Sequence, residues 1–319
     1  MKVKFHLPDF TQHYAFNMVF AGMLKNLPQY FREGVEIASV YGTFPPAIWN
    51  GGRFQYGRCS KDFVKQVIKS FNDTGIPLRF TFTNPILEKK HLHDDFCNMI
   101  MHYADNGMNE VIVASPLLED YIRKNYPNYK ITSSTCKRIT EPDRLSEELE
   151  NDYHIVVLDY DLNNKFDILE KIPHKEKCEI LVNACCNPEC GLRSEHYRSI
   201  GAEQLAYAEH LKKSPDKDFD FSKVSKYKEY FNPAVHECRC MRRSIFEIKN
   251  LSTHITPDDI WEKYVPMGFC QFKIEGRTIE LFNLIEHYMY YMIKPELRDE
   301  ARLMLNCQLV RQGVIQTKF

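Results

Sequence analysis

The sequence predicts an α/β fold, a (β/α)8 TIM-like barrel that forms a single domain over residues 1–319. Two observations predict this fold: eight short runs have β-type composition, and segments with helical periodicity lie between them. Strands that alternate with helices form parallel βαβ units, and eight such units can close into a barrel. A doubly wound sheet produces the same local pattern, so the alternation alone leaves that second architecture open.

The predicted strands are short runs rich in Val, Ile, Phe, Tyr and Thr. The third run, LRFTFT, consists of β-type residues and has a proline close to each end. The eight runs comprise residues 3–7, 35–41, 78–83, 110–114, 130–134, 154–158, 179–183 and 270–274.

Helix signals lie between these strands. Ser60 is a predicted N-cap, Pro116 is suited to the first position of a helix, and Gly107 is expected to end one. Pro28 should kink or end the first helix. The predicted helices comprise residues 13–31, 60–72, 91–106, 116–124, 142–150, 163–171, 195–211 and 278–293.

One segment interrupts the alternation. Residues 212–250 are rich in Lys, Asp, Tyr and Phe and have no clear period. We therefore predict an insertion at 212–250, between the seventh and eighth strands, and it carries two of the cysteines discussed below.

The charge of the chain is almost balanced, with 42 Lys+Arg, 43 Asp+Glu and a formal net charge of -1. This balance excludes a strongly basic nucleic-acid-binding domain, although not a local basic patch. There is no apolar run of about 18 residues that would predict a membrane span, and the N-terminus lacks the apolar core of a secretory signal. We expect a cytoplasmic protein, with a small anionic substrate favoured over RNA.

Eleven cysteines are the most informative part of the composition. Intracellular thiols stay reduced, so clustered cysteines indicate a metal or catalysis. Cys185, Cys186 and Cys190 follow the seventh strand, while Cys238 and Cys240 lie in the insertion; these five are the candidate metal ligands. Zinc needs four ligands around one ion, and an iron–sulfur cluster spreads about four thiolates around a larger cube. One of the five is therefore expected to be spare, and unpaired core thiols are the alternative for the whole set.

The other six cysteines are less informative. Cys97, Cys178, Cys270 and Cys307 lie in or beside predicted elements, where we expect them to pack as small apolar residues. Cys59 and Cys136 are left without an assignment.

A second motif, GFCQFKIEGR, contains the candidate catalytic residues Lys273, Glu275 and Arg277 at the end of the eighth strand. Chemistry in a parallel barrel is located on the loops that follow the strands, and the last two loops often bind anions. Arg277 could bind a carboxylate or phosphate in bidentate fashion. Lys273 alternates with Phe272 and Ile274, so it is expected to point into the barrel or its mouth if they point outwards. The structural alternative is an ion pair between Lys273 and Glu275.

Two further sequence features are weaker evidence for a functional site. The segment NGGRFQYGR places Arg53 and Arg58 after the second strand, which suits either a substrate-binding loop or a plain surface turn. His196 lies beside the cysteine loop, in the first turn of a predicted helix, where a histidine is more often inert.

These motifs resemble the collagenase-like peptidase family, also called peptidase U-thirty-two. The resemblance is carried by LVNACCNPECGLRSEHY, SPLLEDYIRKNYP and the IEGR of YVPMGFCQFKIEGR, and it extends over roughly residues 35–293. It implies a barrel-like core and a [4Fe-4S] cluster, with Cys186 and Cys190 as ligands and Cys238 and Cys240 as the completing pair. The doubled Cys185–Cys186 and the closely spaced Cys238 and Cys240 depart from the family pattern, so the ligand choice and cluster type stay open.

The resemblance also implies kinship with oxygen-independent hydroxylases, including components of anaerobic ubiquinone biosynthesis and enzymes that hydroxylate RNA using prephenate. Such components work in pairs, so a partner subunit of the same family is expected. Three hypotheses follow: an iron–sulfur hydroxylase-type enzyme, a non-catalytic binding protein stabilised by zinc or a cluster, and a peptidase. The sequence contains no recognisable activated nucleophile that would favour the peptidase.

Overall fold

In residues 2–316, which the computed structural model describes, eight parallel strands follow one another in chain order and close into a barrel. Residues 1 and 317–319, the ends of the predicted domain, lie outside the described range. The last strand pairs with the first, so the barrel prediction is confirmed and the doubly wound sheet was the wrong alternative. The strands are β1 (Val3–Pro8), β2 (Val35–Gly42), β3 (Leu78–Phe82), β4 (Glu110–Val113), β5 (Lys130–Ser133), β6 (Ile155–Val157), β7 (Cys178–Leu181) and β8 (Gln271–Lys273).

A helix occupies each of the eight predicted helical segments, with some differences in bounds. None of the helices within residues 2–316 is long and apolar enough to cross a bilayer. The α-helices are α1 (Tyr14–Asn26), α2 (Lys61–Asp73), α3 (Asp95–Tyr103), α4 (Pro116–Asn125), α5 (Pro142–Glu150), α6 (Phe166–Leu169), α7 (Arg193–Lys213), α8 (Pro233–His236), α9 (Ile245–Ile248), α10 (Pro257–Asp259), α11 (Leu281–Met292) and α12 (Arg298–Arg311).

Local capping explains where several helices begin and end. The Ser60 hydroxyl accepts a hydrogen bond from the Phe63 N–H at 3.1 Å, as the sequence predicted for α2. Helix α1 stops at Asn26 because Pro28 cannot continue it, and a 3-10 turn, Pro28–Tyr30, follows. Helix α3 begins later than predicted, since Asp94 caps it by accepting from the Cys97 N–H at 3.0 Å.

Helix α12 was not predicted from the sequence. Its buried residues are Ala301, Leu305 and Leu309, which form a stripe only one residue wide. A stripe this narrow gives little periodic signal, although α12 packs against both α1 and α11.

The segment between α7 and β8 contains short helices, and part of it folds over the mouth of the barrel. Arg243 fixes it there, because Nη1 donates to the Cys185 carbonyl at 2.7 Å and Nη2 donates to Asn187 Oδ1 at 2.6 Å. The residues of the predicted insertion that contain Cys238 and Cys240 are thereby brought against the loop that follows β7.

The interior of the barrel contains a network of charged side chains. Arg79 on β3 and Glu179 on β7 are completely buried and form an ion pair across the barrel. Lys273 Nζ lies 3.1 Å from Glu179 Oε1, and His6 Nε2 lies 3.4 Å from Glu179 Oε2. Their strand neighbours Phe80 and Phe272 are buried in the apolar core, as the two-residue alternation of a strand requires. The prediction that Lys273 points into the barrel is confirmed.

Candidate functional site

A cavity of about 100 Å³ lies at the C-terminal end of the barrel strands and is called the mouth cavity below. It collects residues from both sequence motifs, as expected for loops that follow parallel strands. The lining residues include Tyr41, Arg53, Thr81, Thr83, Cys136, Tyr160, Cys185, Cys186, Arg193, His196, Tyr197, Cys238, Cys240, Lys273, Glu275 and Arg277.

Four of the five candidate metal ligands form one group, called the cysteine group: Cys186, Cys190, Cys238 and Cys240. Burial raises the pKa of Cys186 to about 12. The nearby Cys190 and Cys240 also raise this pKa, whereas a hydrogen bond from Tyr160 lowers it. Burial and the adjacent Cys238 thiol likewise raise the pKa of Cys240. The two cysteine segments, which are about fifty residues apart in sequence, therefore meet at the barrel mouth.

Cys185 has different neighbours. Its thiol accepts a hydrogen bond from Arg53 Nη2 at 3.3 Å, and its backbone N–H donates to Glu275 Oε2 at 2.8 Å. Burial and the Glu275 carboxylate raise the pKa of this thiol well above its ordinary value. Cys185 thus contacts the part of the cavity formed by Arg53, Glu275 and Arg277, called the arginine side below, rather than the cysteine group.

The cysteine group is not arranged around a single point. Within residues 2–316, no three His, Cys, Asp or Glu side chains converge closely enough to hold one metal ion. A single zinc ion requires four ligands at about 2.0–2.3 Å from its centre. An iron–sulfur cluster spaces its ligands more widely, because each thiolate binds a different iron.

Arg193 anchors the cysteine loop. Its Nη2 donates to both carboxylate oxygens of Asp159, at 2.8 and 2.6 Å, and to Asp161 Oδ2 at 2.9 Å. Its guanidinium lies 4.1 Å from the centre of the Tyr160 ring. The side chain is only 2% exposed, yet Nε and Nη1 have no hydrogen-bond acceptor among the described residues. Two buried donors of a residue that lines the mouth cavity therefore lack an acceptor among the described residues.

Arg277 is buried in the mouth cavity and forms no ion pair with a described residue. Its three hydrogen bonds go to neutral acceptors: Nη1 donates to Asn50 Oδ1 at 2.9 Å and Thr81 Oγ1 at 2.8 Å, and Nη2 donates to the Gly51 carbonyl at 2.6 Å. A Cβ at Gly51 would lie 2.5 Å from the backbone of Thr83, so glycine is required for this close approach. Burial lowers the pKa of Arg277. A buried guanidinium surrounded by neutral acceptors is suited to an anionic ligand.

Glu275 pairs with Arg53, so the Lys273–Glu275 ion pair, the structural alternative for this motif, was wrong. The physical reason is that β8 ends at Lys273, and Asn183 then holds the Glu275 backbone. Asn183 Oδ1 accepts from the Glu275 N–H at 2.6 Å, and Asn183 Nδ2 donates to the Glu275 carbonyl at 2.8 Å. The Glu275 side chain consequently faces Arg53.

Lys273 forms the floor of the mouth cavity. Its ammonium lies 4.0 Å from the centre of the Tyr41 ring and pairs with Glu179. Burial, only partly offset by Glu179, lowers the pKa of Lys273 to about 8. Burial alone would raise the pKa of Glu179, but Arg79, Lys273 and His6 together hold it below its ordinary value.

Sequence reasoning left several of these residues without a role. Arg79 and Glu179 could have been noticed, because each is a charged residue inside a predicted buried strand. Cys136 proves to line the mouth cavity, and His196 lies in its wall, where burial and Arg53 lower its pKa to about 4.

The predictions for the remaining cysteines are partly correct. Cys97 and Cys178 are buried as expected, whereas Cys270 is partly exposed and Cys307 is exposed on the outer face of α12. The core prediction was wrong for Cys307, because α12 lies at the periphery of the protein and buries only its narrow stripe. Arg58 lines the open cleft outside the mouth cavity and not the cavity itself.

The chain is similar to known proteins in amino-acid sequence and in backbone structure. No protein-family model matches the chain. The chain is 25% identical over 251 residues to a protein of Methanocaldococcus jannaschii named as an uncharacterized protease, an alignment that covers 76% of this chain and 68% of the relative. It is also similar to a solved structure described as a U32 peptidase, with a TM-score of 0.47, 12% identity, and coverage of 88% of this chain and 93% of that one.

Proposed function

We propose that this protein is an iron–sulfur enzyme of the collagenase-like peptidase type, whose cysteine group binds a [4Fe-4S] cluster beside an anion-binding cavity. We further propose a hydroxylase-type redox reaction on a small anionic or aromatic substrate. The observation that carries the proposal is the meeting of Cys186 and Cys190 with Cys238 and Cys240 at a cavity that Arg277 also lines, and Arg277 has no anionic partner among the described residues. Kinship with this family is supported by the three sequence motifs and by the similarity to the Methanocaldococcus jannaschii protein named as an uncharacterized protease.

The residues at the mouth fit a cluster in two respects. Four thiols are the usual ligand set of a [4Fe-4S] cluster, and metal binding favours their thiolate forms despite the raised pKa values. The unsatisfied Nε and Nη1 of Arg193 would supply hydrogen bonds to sulfur atoms, which are acceptors that the chain itself does not provide. When bound, the cluster would supply electron transfer.

The chain's own residues would bind and orient the substrate. Arg277 would take a carboxylate or phosphate, and the buried position of that guanidinium strengthens the attraction. Glu275 and Arg53 form an ion pair that bounds the cavity on the side of Cys185. The Lys273 ammonium at the floor adds a second positive charge near the ligand. A cavity of about 100 Å³ limits the enclosed part of the ligand to a few heavy atoms.

Anaerobic purification followed by iron and sulfide analysis tests the proposal. We expect a brown protein with about four iron and four sulfide per chain. A colourless protein without iron that retains one tightly bound zinc per chain would overturn the cluster, and with it the redox reaction.

A peptidase is the second candidate, because the relative from Methanocaldococcus jannaschii is named as a protease. Cys136 and His196 both line the mouth cavity, but burial raises the pKa of the Cys136 thiol and so opposes formation of a nucleophilic thiolate. Peptide cleavage that survives chelators and is lost in Cys136→Ser would favour this candidate over the iron–sulfur enzyme.

A further inference from the structure

A wide cleft of about 1750 Å³ lies outside the mouth cavity and runs into it, since His196, Cys238 and Met241 line both. Its walls carry large aromatic side chains that remain exposed: Tyr56 is 63%, Phe246 66% and Phe282 63% accessible. Exposed aromatic residues grouped in one concave surface indicate a binding site.

Glu203 is the unexplained polar residue of this cleft. It lies on α7, on the same face as His196 and Ser199, and its side chain forms no hydrogen bond or ion pair with any residue in the described range. Burial raises its pKa to about 7, and no charged neighbour contributes to the shift. None of the three cleft arginines, Arg58, Arg239 and Arg242, forms an ion pair with it among the described residues.

Aromatic side chains, among them Phe54 and Tyr56, line the same cleft as this carboxyl group. Tyr56 lies close enough for the Glu203 charge to raise the tyrosine pKa, after the larger effect of burial. The Tyr56 ring packs edge-on against Phe54 at 4.3 Å and Tyr207 at 5.3 Å between centroids. The Tyr207 hydroxyl accepts a hydrogen bond from the Gly57 N–H at 2.9 Å. This bond fixes the loop that carries the Phe54 and Tyr56 rings.

We propose that Glu203 and the Tyr56 ring form a subsite for a primary ammonium group carried on an alkyl chain. A cation there would pair with the carboxylate and lie against an aromatic face, while its alkyl chain would contact the neighbouring rings. The half-buried carboxyl group would then gain the partner that the chain does not provide. This subsite does not depend on the cluster, because none of its residues belongs to the cysteine group.

The test compares three probes by calorimetry on the full chain at pH 8: N-acetyl-lysine methylamide, its uncharged analogue N-acetyl-norleucine methylamide, and n-butylammonium. We expect the lysine derivative to bind about tenfold more tightly than the norleucine derivative. This preference should decline as the pH falls through about 7, because Glu203 becomes protonated. Stronger binding of the lysine derivative than of n-butylammonium would identify a peptide-borne side chain, and equal binding a free amine.

Glu203→Gln should abolish the charge preference, whereas Glu280→Gln, which alters an exposed carboxylate of the same cleft, should retain it. Circular dichroism would verify that both variants are folded. Equal binding of the lysine and norleucine derivatives, binding of no probe, or an unchanged preference in Glu203→Gln would overturn the proposal.

Discussion

The arginine side of the mouth cavity and its cysteine side differ in how far the protein satisfies its own polar atoms. On the arginine side, Arg53 pairs with Glu275, and Arg277 has three neutral acceptors. On the cysteine side, Cys186 lies near the Cys190 and Cys240 thiols, and Arg193 has two donors without an acceptor among the described residues. The polar atoms of the first side are therefore largely satisfied by strand ends and loops of the chain, whereas the second side leaves two buried donors without an acceptor among the described residues.

The largest expected effect on stability concerns the buried network of Arg79, Glu179 and Lys273, which lies below both sides of the cavity. Glu179→Gln would leave Arg79 and Lys273 buried without their shared carboxylate. We expect the free energy of unfolding, measured by urea denaturation, to fall by about 3–5 kcal/mol. Glu286→Gln, which breaks the partly exposed pair with Arg302, should lower it by about 0–1 kcal/mol. Similar losses in the two variants would contradict the role given to the buried network.

Arg277→Met should weaken anion binding on the arginine side. Losing the guanidinium removes charge-assisted hydrogen bonds, so the Kd for inorganic phosphate or acetate should rise at least about tenfold. Arg58→Met is the control, because Arg58 lies in the outer cleft and donates to the Leu211 carbonyl. An unchanged Kd in Arg277→Met would show that anions bind elsewhere.

The lowered pKa of Lys273 predicts a pH dependence of stability. Between about 8, the pKa in the folded chain, and the ordinary 10.5, the unfolded chain binds more protons. Stability should therefore rise with pH across this interval, by about 3 kcal/mol. The rise should be absent from Lys273→Met and retained in Lys69→Met, which changes an exposed lysine of α2. A rise of equal size in Lys273→Met would contradict the assignment.

The smallest expected effect is on the cysteine side. Cys240→Ala in the metal-free protein should change the free energy of unfolding by less than about 1 kcal/mol, because Cys240 is only partly buried. The alternative hypothesis is a binding protein that zinc or a cluster stabilises. This hypothesis predicts that the metal-loaded Cys240→Ala variant unfolds. Thermal denaturation followed by circular dichroism distinguishes the two.

The eight strands could be predicted because β-type composition, terminal turn residues and alternation with helices are local properties. The inward direction of Lys273 also followed from its alternation with Phe272. Its partner did not, since Glu179 lies 94 positions earlier and meets it only across the closed barrel. Likewise, the contacts that distinguish Cys185 from Cys186 involve Arg53 and Glu275, which belong to other loops.

Iron content after anaerobic purification of Cys185→Ser and Cys186→Ser, measured side by side, tests the central claim most directly. These adjacent thiols belong to different sides of the cavity, so the account predicts about four iron per chain in Cys185→Ser and a severe loss in Cys186→Ser. Loss of iron in Cys185→Ser with retention in Cys186→Ser, or no iron in the unaltered protein, would contradict it.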